Sequence, residues 1–549
     1  MPLLLITILA GISFALAAPP WGWFGLAWFS WIPLWWAIDP WDIDRQGNTS
    51  PQRRGILGLV WGLGYYGISL HWVTGLHPLT WLGMSWWSSI TISVGCWIFL
   101  VLWHTAPLVL WMMILGELTR RCHWTRSQTL AFGVALWCSL DWLCSYLPIY
   151  SGSLAISQSP GNLWLLYSTR WFGPFGISAA IVLVNGGLAY GLRSLLRQRA
   201  RPTRNDESLT LTAATPTFAT PLPWWSLAMG VFLALHGIGW GLAQESTRAE
   251  ASAPPSPPLT IGVIQGNIPT RIKLTPAGIQ QSLKTYRQGY EALANLGVDA
   301  VLMPEGALPM VWEGKTRLQS SLYQSIRRLG TPAWVSTFLT TEPPPGEEPN
   351  PGLTQSLIAV DSSGATTSRY NKIKLVPLGE YIPFQNLLSK ILQRLSLMEG
   401  SLTPGGPGQS FNTPWGTAAI AICYEPAFSY IIQNQVKQGA QFILTVSNLD
   451  PYDTRLMAYQ EALNIMRALE NDRWLVAASN TGYSSLISPQ GQVKWRSAPH
   501  QLVIAPVQLY PRQTQTLYSQ TGDGLILCLL WGWGLSVWLL GRLRLISIP

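Results

Sequence analysis

Three side chains of this sequence could together do chemistry. Cys423 stands in AICYEPAFSY (421–430), Glu305 in AVLMPEGALP (300–309) and Lys372 in RYNKIKLVPLGEYIPF (369–384). Cys423 is the only cysteine between residues 245 and 523. The run AAIAICYEPAFSYIIQNQVKQG reads as strand, sharp turn and helix, with Pro426 at the first helical position and Gly439 as the stop. A cysteine at that corner occupies a nucleophile elbow, and the helix N-terminus would favour its thiolate. A buried, inert thiol at the end of a core strand fits this segment equally well.

A thiol nucleophile needs a base and a group to hold the oxyanion. His500 is the only histidine of residues 245–523 and lies in the loop-like SAPHQ, so a Cys–His pair is poorly supported. Glu305 closes a buried strand, where a carboxylate is costly unless it has a task. Lys372, in a segment poor in charge, could lower the thiol pKa and bind an oxyanion. An isolated Glu305–Lys372 ion pair is the alternative. There is no CxxC pair or Cys/His cluster, which argues against zinc.

The elements that must position these residues fall into two textures. Charged residues make up 11% of the 549, against about 25% in ordinary soluble domains, and tryptophan occurs 31 times. Both point to a membrane protein, because charge is expensive in hydrocarbon and Trp favours the lipid–water interface. Seven apolar stretches precede residue 245, at about 3–18, 21–38, 56–76, 86–116, 128–148, 172–192 and 224–243, and an eighth runs about 524–541. The first has no basic residue before its apolar core and is read as a retained helix, not a signal peptide. The fourth is too long for one straight span.

The formal charge of +9 is unevenly spread. Residues 245–523 hold 21 basic and 19 acidic residues, and the remainder 14 and 7. The excess lies in alternate loops: Arg45, Arg53 and Arg54; Arg120, Arg121 and Arg126; Arg193 to Arg204; and Arg542 and Arg544. The intervening loops are bare except for Arg170. This pattern places both termini inside and residues 245–523 outside, and it speaks against nucleic acid as a partner. After the Pro-rich connector ASAPPSPPLT (251–260), IGVIQGN, AVLMPE, AWVSTFL, SLIAVD, TAAIAIC, QFILTVSN and WLVAASN read as strands. TPAGIQQSLKTYRQGYEALANLG and RLMAYQEALNIMRALEN read as helices, giving a layered α/β domain.

QGNIP, MPEGALP, YNKIKLVPLGEYIP, AICYE and SNTG occur in the order of the nitrilase superfamily. With the flanking apolar spans, the whole chain resembles that superfamily's membrane-embedded branch, the apolipoprotein N-acyltransferases. The resemblance implies about eight transmembrane helices and an extracytoplasmic αββα sandwich. Its implied limits are 1–244 for seven helices, 245–523 for catalysis and 524–549 for a last helix and cytoplasmic tail. It implies a Glu-Lys-Cys triad: Glu305 as general base, Lys372 at the oxyanion and Cys423 as nucleophile. Glu380 matches a second essential carboxylate, and Tyr424 and Glu425 match residues flanking the cysteine. No cofactor is implied. The implied partners are a membrane phospholipid as acyl donor and a diacylglyceryl-apolipoprotein as acceptor, with a monomeric enzyme in the bacterial inner membrane. Two departures stand out: Met303 where the family often has Trp, and SNLDPYD (447–453) where it commonly continues DAWF. A tethered amidase with the same triad and a non-catalytic lipoprotein-binding scaffold are the rival readings. PFQNLLSKILQRLSLM (383–398) has the spacing of an amphipathic arm or of an ordinary packed helix, and TEPPPGEEPNPG (341–352) reads as a surface loop.

Overall fold

The structure is a computed structural model and describes residues 2–40, 50–199, 222–252, 257–341, 352–377, 379–381, 401–450 and 452–546. The segment 383–398 and most of 341–352 lie outside the described residues.

Two six-stranded sheets form the α/β unit. The strands are β1 (Leu259–Gln265), β2 (Ala300–Leu302), β3 (Ala333–Thr340), β4 (Leu353–Val360), β5 (Thr366–Asn371) and β6 (Phe411–Thr413). They continue with β7 (Gly416–Ile422), β8 (Phe442–Ser447), β9 (Leu475–Ser479), β10 (Ser485–Ile487), β11 (Val493–Arg496) and β12 (Val503–Leu509). One sheet has the order β12-β1-β2-β3-β4-β5 and the other β11-β10-β9-β8-β7-β6. Alternate side chains decide the faces. Ile261, Val263, Leu357, Ile420, Ile422, Leu444 and Val476 share one core between the sheets. Ile264, Val301 and Val335 pack outward on Tyr286, Tyr290 and Leu293 of helix Pro276–Asn295. That helix begins where its sequence demands: Thr275 caps it by accepting from the Gly278 N–H, Pro276 follows, and Gly297 turns at φ 76°.

The outer face of the second sheet carries helices Ser429–Lys437 and Thr454–Asn471. Their apolar residues are not a closed layer. Ala419, Ile432, Ile443, Leu463 and Leu469 belong to one cluster with Trp31, Trp111, Phe175 and Ile181 of the apolar helical region. The α/β unit and the helical region therefore share a core.

Among the described residues, four helices are long and apolar enough to cross a membrane: Trp86–Arg121, Thr169–Arg199, Pro223–Arg248 and Gly524–Leu543. The fourth expected span is one helix of 36 residues, about 54 Å at the α-helical rise. The first apolar stretch forms the 16-residue helix Pro2–Ala17, and the third and fifth give Pro51–Ser69 and Arg126–Cys144. The stretch 21–38 is not one span. It breaks into a 3-10 turn, Phe24–Trp28, and a short helix, Ile32–Ala37. Gly22 (φ 68°) and Pro33 interrupt it, and Trp31 and Trp35 anchor it inside. Some tryptophans depart from an interfacial role, while others, such as Trp23, Trp86, Trp87 and Trp164, are exposed. Trp31 meets Trp61, Trp111 and Trp137 edge-on at centroid distances of 5.3, 5.4 and 4.8 Å, and all four are buried. Such contacts add about 0.5–1.5 kcal/mol each beyond burial.

Candidate active site

Each expected residue lies just beyond the end of a strand. Glu305 follows β2, Lys372 leaves β5 directly, and Cys423 leaves β7 directly. Cys423 has φ 61°, a left-handed conformation unfavourable for a side chain with a Cβ. Two bonds fix it: its N–H donates to Val446 O at 2.8 Å, and its carbonyl accepts from Gln460 Nε2 at 2.7 Å. The corner differs from the expected one. Pro426 sits in a 3-10 turn, Glu425–Ala427, and the helix begins only at Ser429.

Lys372 is fully buried and lies between two carboxylates, 2.9 Å from Glu305 Oε1 and 2.5 Å from Glu380 Oε1. Burial disfavours its charge, but Glu305, Glu380 and Cys423 outweigh that and hold it protonated. Glu305 is fastened further. Its Oε1 accepts from Gln355 Nε2 at 3.0 Å, and its Oε2 from the Asn448 N–H at 2.8 Å. Glu380 Oε2 accepts from the Val376 N–H at 2.8 Å, and burial raises this carboxyl above its usual range.

The Cys423 thiol keeps a partly accessible face. Burial pushes its pKa well above that of an ordinary thiol. The charge of the Glu305 carboxylate pushes the same way, while Lys372 opposes them. The resting group is a thiol beside a carboxylate, not the free thiolate expected from a helix N-terminus.

Glu425 does not face the reacting groups. It is fully buried, and its Oε1 accepts from the N–H groups of Ile373 (2.6 Å) and Lys374 (3.1 Å). Its Oε2 accepts from the Ile422 N–H (2.6 Å) and the Tyr370 hydroxyl (3.1 Å). It thus pins the lysine segment to the cysteine elbow. The Tyr424 hydroxyl lies 2.9 Å from Leu375 O and 3.0 Å from Pro148 O, at the joint with the helical region.

The sequence reading missed Gln355, Asn448 and Lys273. A buried glutamine in the strand LTQSLIAV was a usable signal, since a strand interior rarely spends a polar side chain without a partner. The divergent SNLDPYD loop is well tied. Asn448 Nδ2 donates to Thr270 Oγ1 at 3.1 Å, and Asp450 Oδ2 accepts from the Thr270 N–H at 2.6 Å. Tyr452 meets Trp72 edge-on at 5.0 Å.

Cys423, Glu305 and Glu380 open on a cavity of about 450 Å³. Most of its remaining wall is apolar, with Tyr66, Trp72, Leu76, Leu82 and Phe99 of the helical region and Leu449 of the α/β unit, and a polar wall is formed by Thr270, Lys273, Asn448 and Asp450. It therefore joins the thiol to the interior of the apolar helices.

The sequence model described as carbon-nitrogen hydrolase matches residues 260–512, and that of the apolipoprotein N-acyltransferase N-terminal domain matches residues 10–187. An apolipoprotein N-acyltransferase of Thermosynechococcus vestitus is 40% identical over 532 residues, 96% of this chain and 94% of that one. The chain belongs to the apolipoprotein N-acyltransferase family. Another apolipoprotein N-acyltransferase, from a Nostoc species, is 38% identical and covers 92% of this chain and 93% of its own. Among solved structures, Saccharomyces cerevisiae Nit3, a member of branch 10 of the nitrilase superfamily, has 15% identity and a TM-score of 0.35. It covers 46% of this chain and 90% of its own. In the numbering of this apolipoprotein N-acyltransferase family member, Glu305, Lys372 and Cys423 meet at one end of the sandwich.

Proposed function

We propose that this chain moves a fatty acyl group from a membrane phospholipid to the α-amino group of an apolipoprotein's N-terminal diacylglyceryl-cysteine, through a thioester on Cys423. The observation that carries this reading is that Glu305 and Cys423 line a largely apolar cavity that enters the helical region, with Lys372 buried behind them 2.9 Å from Glu305. A soluble amide needs no such chamber; an acyl chain does.

In the first half-reaction the Cys423 sulfur attacks the ester carbonyl while Glu305 takes the thiol proton. A protonated thiol makes that transfer necessary. The Lys372 ammonium stabilises the oxyanion, with Glu380 holding it in place. The carbon–oxygen bond breaks, Glu305 returns the proton to the leaving alkoxide, and a lysophospholipid departs. In the second half-reaction Glu305 takes a proton from the acceptor's amine. The amine attacks the thioester, the carbon–sulfur bond breaks, and Cys423 recovers its proton. Water competes with the amine, and the apolar walls disfavour it.

The proposal includes a division into residues 1–244, 245–523 and 524–549. It also includes an eight-span arrangement in the inner membrane, with both termini cytoplasmic, the sandwich on the extracytoplasmic face, and a monomeric enzyme. The charge alternation of the loops supports the orientation.

The deciding experiment is intact mass of the purified protein after incubation with phospholipid vesicles, beside Cys423→Ala. A hydroxylamine-labile gain of one acyl chain, absent from the variant, is expected. The absence of both adduct and lysophospholipid would overturn the reading. Lysophospholipid without an adduct would mean that water reaches the thioester.

A further inference from the structure

A second lysine faces the same cavity. Lys273 belongs to the short helix Thr270–Lys273 after QGNIP and is 5% exposed. Its Nζ donates to the backbone carbonyl of Glu305 at 3.0 Å and packs beside Gly306. Among the described residues no carboxylate lies within ion-pair distance of it. Lys372, by contrast, is committed to two. The charged groups that act on Lys273 are Glu305 and Asp450, and Asp450 turns its Oδ2 to the Thr270 N–H.

An ammonium sealed in a protein costs several kcal/mol unless an anion meets it. Two of the three N–H bonds of Lys273 have no acceptor among the described residues, and the side chain lines the chamber in which Cys423 lies. Burial lowers its pKa to about 8, against the pull of Glu305 and Asp450, so it is charged at neutral pH. The next question is which substrate supplies an anion. This rests on the acyltransferase reading above. The acceptor offers an amine, amides, a thioether and neutral esters. At the reacting end the donor alone carries a formal anion, its phosphodiester, which is attached to the same glycerol as the ester to be cut. An ester held at Cys423, with its chain between Trp72, Leu76 and Phe99, leaves the phosphate for the polar wall.

We propose that Lys273 is the subsite for the donor's phosphodiester. The contact is made in the first half-reaction and is given up when the lysophospholipid leaves. It lets the enzyme favour a phospholipid over a neutral glyceride with the same acyl chains.

The test is single-turnover acylation of the full chain in detergent micelles containing either dipalmitoyl phosphatidylglycerol or dipalmitoylglycerol, with thioester appearance read by intact mass. Wild type is expected to prefer the phospholipid. Lys273→Met is expected to lose about tenfold or more of that preference, the worth of a charge-assisted contact. Lys273→Arg is expected to keep most of it. An equal slowing on both donors would overturn the subsite and make Lys273 a prop for Glu305, and so would an unchanged preference. If Lys273→Met does not fold, the pH profile of wild type decides. The donor preference should fall as pH rises through about 8. In Lys273→Arg it should persist to higher pH. A preference that does not change with pH in wild type overturns the proposal. Wild type that forms no thioester and no lysophospholipid from either donor would instead sink the acyltransferase reading itself.

Discussion

Glu305 and Lys372 are 2.9 Å apart in a buried setting, which by itself describes a structural ion pair. The thiol changes that reading, because Cys423 opens on the same cavity as that carboxylate, whose charge helps to raise the thiol pKa. The thiol is held well above its ordinary pKa, so removing the base should slow acylation greatly. Glu305→Gln is expected to form the thioester about a hundredfold or more slowly, the usual worth of a positioned base. Its residual rate should climb about tenfold per pH unit between pH 7 and 9, because it then tracks the small ionised fraction of a high-pKa thiol. Wild type should show no such slope, and an intact-mass time course at three pH values checks both. Lys273 gives a second prediction, in stability. Its folded pKa, about 8, lies below the unfolded value of 10.5, so between these values the unfolded chain binds the extra proton. Stability therefore rises with pH across that window, and at neutral pH the buried charge is a net cost. Lys273→Met should raise the unfolding midpoint at pH 7, by the equivalent of a few kcal/mol, and the gain should shrink toward pH 10. Calorimetry in detergent measures this; a variant less stable at every pH would contradict it.

The proposed triad depends on elements that arrive from distant parts of the chain, and Glu425 is the tie between two of them. It receives three backbone N–H bonds and one hydroxyl, and a carboxylate suits that set because it only accepts. Glu425→Gln turns an NH₂ group toward donors, at a cost of about 1–3 kcal/mol for the groups left unmet. The expected result is a lower unfolding midpoint together with lost acylation, since the Lys372 segment is freed from the elbow; full activity would show that the tie is dispensable. The sequence revealed much at this scale. Strands β1, β3, β7, β8 and β9 are apolar runs of five to eight residues, and helix Pro276–Asn295 carries its own cap and stop. Strands β5 and β11 were not legible: both lie at sheet edges, TTSRYN lacks an apolar alternation, and VKWR alternates over only four residues, too few to stand out. The break in 21–38 was hidden for the opposite reason. Composition alone cannot tell an apolar segment buried by its neighbours from one that faces lipid. At the site, residue types and strand ends pointed to Glu305, Lys372 and Cys423, whereas Gln355 and Asn448 depend on which strands lie side by side.

For the whole molecule, the shared core predicts that the sandwich and the helices do not unfold separately. The clearest link is Arg170, the one basic residue in the loops otherwise bare of charge. Its Nη2 lies 2.7 Å from Asp472 Oδ1 and 2.8 Å from Pro489 O, while Arg512 holds the other Asp472 oxygen at 2.9 Å. Both Arg170 and Asp472 are nearly buried. Removing one partner of such a pair costs about 3–5 kcal/mol. Arg170→Ala should lower a single, cooperative unfolding transition; two separate transitions would show that the units are independent. The same pair explains the exception in the charge pattern. Arg170 is not a topological signal but a ligand of the sandwich, so its loop and the sandwich belong to one face. The arginine cluster at Arg120, Arg121 and Arg126 then marks the opposite face, and the exposed Cys122 lies within it. A membrane-impermeant maleimide should label Cys122 in inverted vesicles and leave it untouched in right-side-out ones. Labelling in right-side-out vesicles would reverse the proposed orientation. The sandwich, and Cys423 with it, would then face the reducing cytoplasm.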